Sequence, residues 1–389
     1  MQPSEGTSGE VPAGGLASPS TLRVMPAASP LGEDEMRRLR TAAQHLHRPT
    51  RRSAAELVHH LTGVQAQVLS AAGLALRART DGLTAEQVER ARLQDRSLVL
   101  TWAMRGTLHL ICAEDYGWLV PLVVEPRLGN AHRRLKAEGV SVDQSATALR
   151  LIERMLEREG ALTRDEIADR LRGQGVRTEG QAIAHLVWLA AAEGVICHGA
   201  DRGGQRCFVL VRDWLGQPEP RDRDAALAEL AVRYLAAHGP AEPEDLVAWS
   251  GIRPADARRS WRRIEDRLVP LQTALGVRWA LRSPPDPAPA GLVRLLPAFD
   301  EYLLGWRDRR LVVPPEHRTA INRGGGWLHP VLLHDGRAAG TWSAERRSQA
   351  FRLQIRPFSP LSAAVRRLAE REARALASFL GLEVEPALA

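Results

Sequence analysis

The sequence reads as a mostly helical α+β protein: three tandem winged helix-turn-helix units, then a mixed α/β cap with a β-hairpin. Three observations predict this. A helix-start pattern recurs at equal spacing, at Thr84-Ala85-Glu86-Gln87-Val88, Thr163-Arg164-Asp165-Glu166-Ile167 and Glu242-Pro243-Glu244-Asp245-Leu246, each shortly after a glycine. In the middle unit this pattern leads into a second helical stretch and then two β-type runs around a glycine-rich tip. Beyond the Pro-rich linker 282–289, short apolar runs and turn residues replace helical spacing.

Taken in order, residues 1–32 are rich in Gly, Ser, Pro and Ala and bury little, so a disordered tail is expected, with Met25 or Met36 as possible true starts. Residues 36–45 have apolar positions at helical spacing between arginines, an amphipathic basic helix. The first unit (33–140) holds Gly63-Val64-Gln65-Ala66-Gln67 and a helix capped by Thr84. The second (141–218) has a Thr163-capped helix, a helix over 181–193 with Ile183, Leu186, Val187 and Ala190 on one face, and strands over 195–197 and 207–210. The third (219–283) starts its capped helix with Pro243 near the first helical position. In the cap (284–389), strands are expected over 293–296, 331–333 and 339–342. Turns fall at Gly324-Gly325-Gly326 and Asp335-Gly336, and a helix at 365–380 ends the chain.

The length allows several domains and a sizeable core, and the balance of apolar and charged residues is that of globular protein. No apolar run approaches the ~20 residues of a membrane-spanning helix, and the N-terminus lacks a secretory signal, so a cytoplasmic location is expected. A net charge of +7 suits a polyanionic partner. The excess is almost all arginine, however, with Lys136 the one lysine, which points to a GC-rich genome more than to selection at a binding face. Cys112, Cys197 and Cys207 form no CxxC pair. A zinc site from Cys197, His198 and Cys207 lacks a fourth ligand, so buried reduced thiols are expected and no metal.

Gln65 and Gln67 are the candidates for chemistry. Glutamine does not ionise, so neither serves as a general acid or base, but two amides can hold a water or contact a sugar without adding charge. On a helix, i and i+2 point about 200° apart, so convergence needs an extended or bent segment before the helix proper, which Gly63 permits. Asp300, Glu301 and Asp308 could be paired catalytic acids, but locking the C-terminal region through Arg307, Arg309 and Arg310 is the plainer reading. Trp327-Leu328-His329-Pro330, after three glycines, could be a hairpin that probes a DNA groove, or a packed strand end. His109 reads as a core histidine. Arg105, at the turn before it, could touch phosphate or cap strands.

VQAQ, Ala298-Phe299-Asp300-Glu301-Tyr302-Leu303-Leu304-Gly305, Arg307-Asp308-Arg309, the segment 327–340 and Gly340-Thr341-Trp342 together resemble the winged-helix DNA glycosylases that include AlkZ and YcaQ. The resemblance spans roughly residues 36–385. Gln67 at the third position of the motif is similar to the AlkZ-type branch. Trp306 stands where many relatives have tyrosine, a conservative change.

The resemblance implies a monofunctional glycosylase acting on N7-alkylguanines in double-stranded DNA and on interstrand crosslinks. Gln65 and Gln67 would then be catalytic, and Arg105, Arg309, Trp327 and His329 would contact DNA. No cofactor is implied, the enzyme is expected to be a monomer, and Lys136 lies outside every motif, so no Schiff-base lyase is expected. The alternative is a non-enzymatic winged-helix regulator, for which Arg258-Arg259-Ser260-Trp261-Arg262-Arg263 would be the reading helix.

Overall fold

A computed structural model describes residues 30–47, 51–347 and 350–385. Within it, one order of elements occurs three times: helix, short extended stretch, helix, helix, hairpin. The first set runs through Ala54–Leu61, Val64–Gln65, Leu69–Arg77 and Ala85–Leu93 to strands Leu98–Trp102 and Leu108–Cys112. The second runs through Val142–Glu159, Leu162–Thr163, Arg164–Gly173 and Ala182–Ala192 to Ile196–His198 and Cys207–Leu210. The third runs through Arg223–His238, the bridge residue Ala241, Pro243–Ser250 and Pro254–Arg263 to Leu268–Thr273 and Gly276–Leu281. In each set the short stretch pairs antiparallel with the second strand of its own hairpin.

The equally spaced motifs are all helix starts with reciprocal caps, yet they are not equivalent. Thr163 and Glu242 begin the second helix of their sets, whereas Thr84 begins the third. A capping box marks the start of any helix, so the spacing misaligned the first set. The stretch equivalent to Leu162–Thr163 is Val64–Gln65.

The first two hairpins join through Leu100 opposite His198, giving a six-stranded sheet, while the third stays two-stranded. A 22-residue helix, Tyr116–Ala137, connects the first two sets and packs on Arg223–His238 and Ala182–Ala192. The C-terminal region is a five-stranded sheet covered by the helix Ala363–Leu380. Its longest strand, Arg337–Arg347, extends well past the 339–342 expected from apolar residues, because its far half is polar and pairs with Ala350–Pro357.

Residues 1–29, most of the segment read as a tail, lie outside the described residues, but Leu31 pairs with Thr273 and belongs to the fold. The basic helix near the start is Glu33–Ala43, and two of its arginines face inward. Arg40 is 1% exposed, lies 4.1 Å over the Trp306 ring and donates to the Pro240 carbonyl. Arg37, also buried, donates to the Leu311 carbonyl. This face holds the N-terminal helix to the rest of the fold.

Candidate active site

The approach to Gln65 is built by a reversal of the chain. Thr62 ends the preceding helix in the left-handed region (φ 60°) and Gly63 follows at φ 124°. A Cβ on Gly63 would sit 2.7 Å from Met104 Cε and 3.1 Å from Ile111 Cγ2, so only glycine fits. Val64 and Gln65 then extend opposite Leu110 and His109, and the Ala66 amide donates to the Leu108 carbonyl at 2.7 Å. The chain bends over 67–68 before the helix Leu69–Arg77. The pair therefore lies in an extended and bent segment, not on a helix. Gln65 is 6% exposed and Gln67 is exposed.

Every polar atom recorded around Gln65 ties it to another part of the chain. Its Oε1 accepts from Arg105 Nη2 at 2.6 Å, and its backbone N–H donates to Glu301 Oε1 at 2.7 Å. Arg105 stands at the tip of the first hairpin at φ 57° and also donates through Nη1 to the Trp249 carbonyl. Trp249 Nε1 in turn donates to Glu301 Oε2 at 3.0 Å. One closed ring of contacts thus joins the first set, the third set and the C-terminal region.

Glu301 is fully buried, and burial pushes its pKa up. The Arg105 charge and the N–H groups of Trp249 and Gln65 work against that shift, while Asp300 adds to it. Both of its oxygens accept hydrogen bonds, which favours the carboxylate form. Burial lowers the pKa of Arg105; Glu301 opposes this, and the charges of Arg309 and Arg127 reinforce it. Arg309 and Arg127 thus add positive charge beside the Arg105–Gln65 contact.

Asp300 plays the matching part at the other end of the helix that follows Gln67. It accepts from Arg79 at 2.9 and 2.8 Å, and both side chains are fully buried. Arg79 also donates to the Ala75 carbonyl and to Gln44 Oε1. Arg77, the last residue of that helix, bonds Glu372 and the Leu295 carbonyl, each at 3.0 Å. The adjacent acids thus clamp the glutamine segment from both sides.

The arginine pairing expected for these acids holds in part. Asp308 does pair with Arg310 at 2.6 Å, but Arg307 pairs with Glu242, and among the described residues Glu301 bonds two N–H groups and no arginine. Trp249, Arg127 and the clamp role of Glu301 escaped the sequence reading. The available signal was two adjacent acids inside an apolar run, which burial makes costly unless each is paired.

His109 faces Gln65 across the strands and is wholly buried. Its Nδ1 lies 2.9 Å from the Thr107 carbonyl, and burial, helped by Arg105, pushes its pKa down to about 3. It is neutral at neutral pH and lies in the core as expected, but its Nε2 has no partner among the described residues. Arg309 is half-buried, with its pKa lowered by burial. Trp327 is 46% exposed and sets its edge against Phe299, centroids 5.0 Å apart, next to the two acids. The hairpin expected there is a tight loop closed by one bridge, Asn322 to Leu328, with His329 half-buried beyond it. Burial, aided by Arg323, lowers the pKa of His329. The three cysteines are free and buried.

Residues 58–379 match the family described as DNA glycosylase AlkZ-like. The chain belongs to that family and is a DNA glycosylase, so DNA is its substrate. Among its relatives is an interstrand DNA cross-link repair glycosylase of Streptomyces sahachiroi, 31% identical over 369 residues, covering 89% of this chain and 96% of the relative. The solved structure of the Streptomyces sahachiroi DNA glycosylase AlkZ superposes with a TM-score of 0.78 at 29% identity, over 92% of this chain and 100% of that one.

The regulator reading falls with this membership. In the helix it relied on, Arg259 and Arg263 reach back to Asp224, and Trp261 is buried. Among the described residues, no helix is long and apolar enough to cross a membrane.

Proposed function

We propose that this enzyme hydrolyses the N-glycosidic bond of guanines alkylated at N7 in duplex DNA, including those that tether two strands in a crosslink. The observation that carries the reading is how the acid at the site is used. Glu301 spends one oxygen on the Gln65 amide and the other on the Trp249 indole, so it is not placed to protonate a leaving base. A base that already carries positive charge, as N7-alkylguanine does, leaves without a general acid, because departure neutralises it. Water oxygen bonds to the anomeric carbon as the bond to the base nitrogen breaks. The electron pair goes to the purine and neutralises it, and the water's proton passes to solvent.

The two amides divide the work in this reading. Gln65 has its oxygen committed to Arg105, so its NH2 group is the part that faces substrate, as a donor to the sugar. Gln67, exposed at the bend, accepts a hydrogen bond from the attacking water and aims it. Arg105 and Arg309 supply positive charge toward the phosphodiester backbone, and Trp327 and His329 contact the duplex from the C-terminal loop. The three repeated sets are winged-helix units, over 33–140, 141–218 and 219–283, with 284–389 as the α/β region. Such an open assembly, acting as a monomer, suits a crosslinked base that cannot turn fully into a closed pocket. The name of the Streptomyces sahachiroi relative favours the crosslink arm.

The test is single-turnover base release from duplex DNA containing N7-methylguanine, and from a defined N7-linked crosslink, by wild type and by Gln65→Ala/Gln67→Ala. Wild type is expected to free the cationic base and to leave uracil untouched, and the double variant to lose release while still binding DNA. Equal release by both proteins would overturn the glutamine mechanism, and efficient uracil release would overturn the charge requirement.

A further inference from the structure

A cleft lies on the face of the six-stranded sheet opposite Gln65. Gln65 shares a face with its cross-strand partner His109 and with Thr101, which pairs with His109. Alternation puts Trp102 and Leu108, paired with each other, on the other face, with Leu100 and its partner His198. Phe208 lies opposite His198 on the next strand. Here, at the seam between the first two hairpins, is a cleft of about 360 Å³.

Its lining has an unusual composition. Trp102 and Phe208 are nearly parallel, 10° apart with centroids at 6.2 Å, and His198 fits against both at 5.1 and 4.6 Å. His198 is 3% exposed, yet neither ring nitrogen has a partner among the described residues. Burial, with Arg206 and Arg92, holds its pKa down to about 3, so it is neutral and offers one N–H donor and one bare acceptor nitrogen. A buried polar edge of that kind is costly unless something bonds it.

The rim is cationic in balance. Arg164 is offset by Asp165 at 3.6 Å, but Arg206 has no carboxylate partner among the described residues. The helix Arg164–Gly173 also turns its positive N-terminal end toward this rim.

We propose that this cleft binds a nucleotide, with its base against the Trp102–His198–Phe208 wall, the polar edge of the base bonded to one ring nitrogen of His198 and its phosphate on Arg206. A nucleotide supplies three things that match the lining: a flat face for the aromatic wall, a hydrogen-bonding edge for a His198 nitrogen, and an anion for Arg206. The nucleotide is either free or an unpaired residue of a bound DNA strand. The site is separate from the glutamine segment, and it does not depend on which lesion is excised there.

Calorimetric titration of the full chain with guanosine 5′-monophosphate, and binding of duplex DNA carrying one bulged guanosine, distinguish the sources. The variants are His198→Phe, which keeps the aromatic packing and removes both nitrogens, and Arg206→Glu at the half-buried rim. Binding of the mononucleotide that falls at least about tenfold in both variants assigns a free nucleotide. If only the bulged duplex binds, with the same loss and a salt dependence reduced by about one phosphate contact in Arg206→Glu, the strand is the source. The proposal is overturned if His198→Phe, folded by circular dichroism, binds both probes as wild type does. Should that variant not fold, unchanged binding by Arg206→Glu overturns it equally. Release of N7-methylguanine, measured on the same variants at saturating enzyme, reports separately on the glutamine site.

Discussion

At the scale of single residues, the proposed chemistry rests on backbone position as much as on side-chain identity. Glutamine offers no charge to be tuned, so what the fold controls is where Gln65 points. Glu301 sets that, through the Gln65 amide and through Trp249 and Arg105. Glu301→Gln keeps the shape but replaces one acceptor with an NH2 group that meets an N–H donor. Gln65 should shift, and displacement on the order of 1 Å costs about 10²-fold in rate. The expected result is a single-turnover rate lowered by about that factor with DNA affinity little changed, and Glu301→Asp recovering part of the loss. An unchanged rate in Glu301→Gln would show that the contact serves stability alone. Gly63→Ala tests the same geometry from the other side. Its Cβ meets Met104 at 2.7 Å in a backbone conformation strained for alanine, so a loss of about 1–3 kcal/mol is expected in denaturant unfolding. A variant as stable as wild type would show that the reversal relaxes.

At the scale of elements, the helix Leu69–Arg77 is held by its buried apolar face and, at its C-terminal end, by buried charges. It has no side-chain cap at its start, whereas Arg77 and Arg79 at its end reach Glu372 and Asp300. Arg79 and Asp300 are both fully buried, so removing the carboxylate strands a guanidinium. Asp300→Ala should cost about 3–5 kcal/mol, read as a lowered urea midpoint. A midpoint within experimental error of wild type would mean that Gln44 and the Ala75 carbonyl suffice for Arg79. Local signals in the sequence did identify much at this scale. The Thr84, Thr163 and Glu242 helix starts are real, as are the strands Cys207–Leu210 and Val293–Leu296, because caps and apolar alternation act over a few residues. Which helix of a set each cap begins was not legible, since that depends on strand pairing far along the chain. Nor was the long helix Tyr116–Ala137, which carries Pro121 and Pro126 inside it, residues that ordinarily argue for a break. The clamp of Asp300 and Glu301 on a segment more than two hundred residues earlier is likewise a product of tertiary pairing.

For the whole molecule, the basic excess stays at the outer surface, because the buried arginines Arg37, Arg40, Arg77, Arg79 and Arg92 are nearly offset by the buried acids Asp115, Asp245, Asp300 and Glu301. The same interior holds His109, His198 and His238, each with its pKa pushed down to about 3 by burial. In the unfolded chain these imidazoles return to the ordinary value of about 6.5. Below that pH the unfolded state takes up protons that the folded state refuses, so stability is complete above 6.5 and is lost as pH falls toward 3. Each histidine contributes a slope of up to about 1.4 kcal/mol per pH unit once it titrates in the unfolded chain. Glu301 runs the other way: its folded pKa is raised, so its share is present below its ordinary value and lost as pH rises through the folded one. One carboxyl against three imidazoles leaves the net direction unchanged. Urea midpoints should therefore be flat between about pH 8 and 7 and drop steeply between about pH 6 and 5, with proton uptake on unfolding. A midpoint that stays level down to about pH 5 would mean that these histidines gain protons without unfolding, through local opening around them.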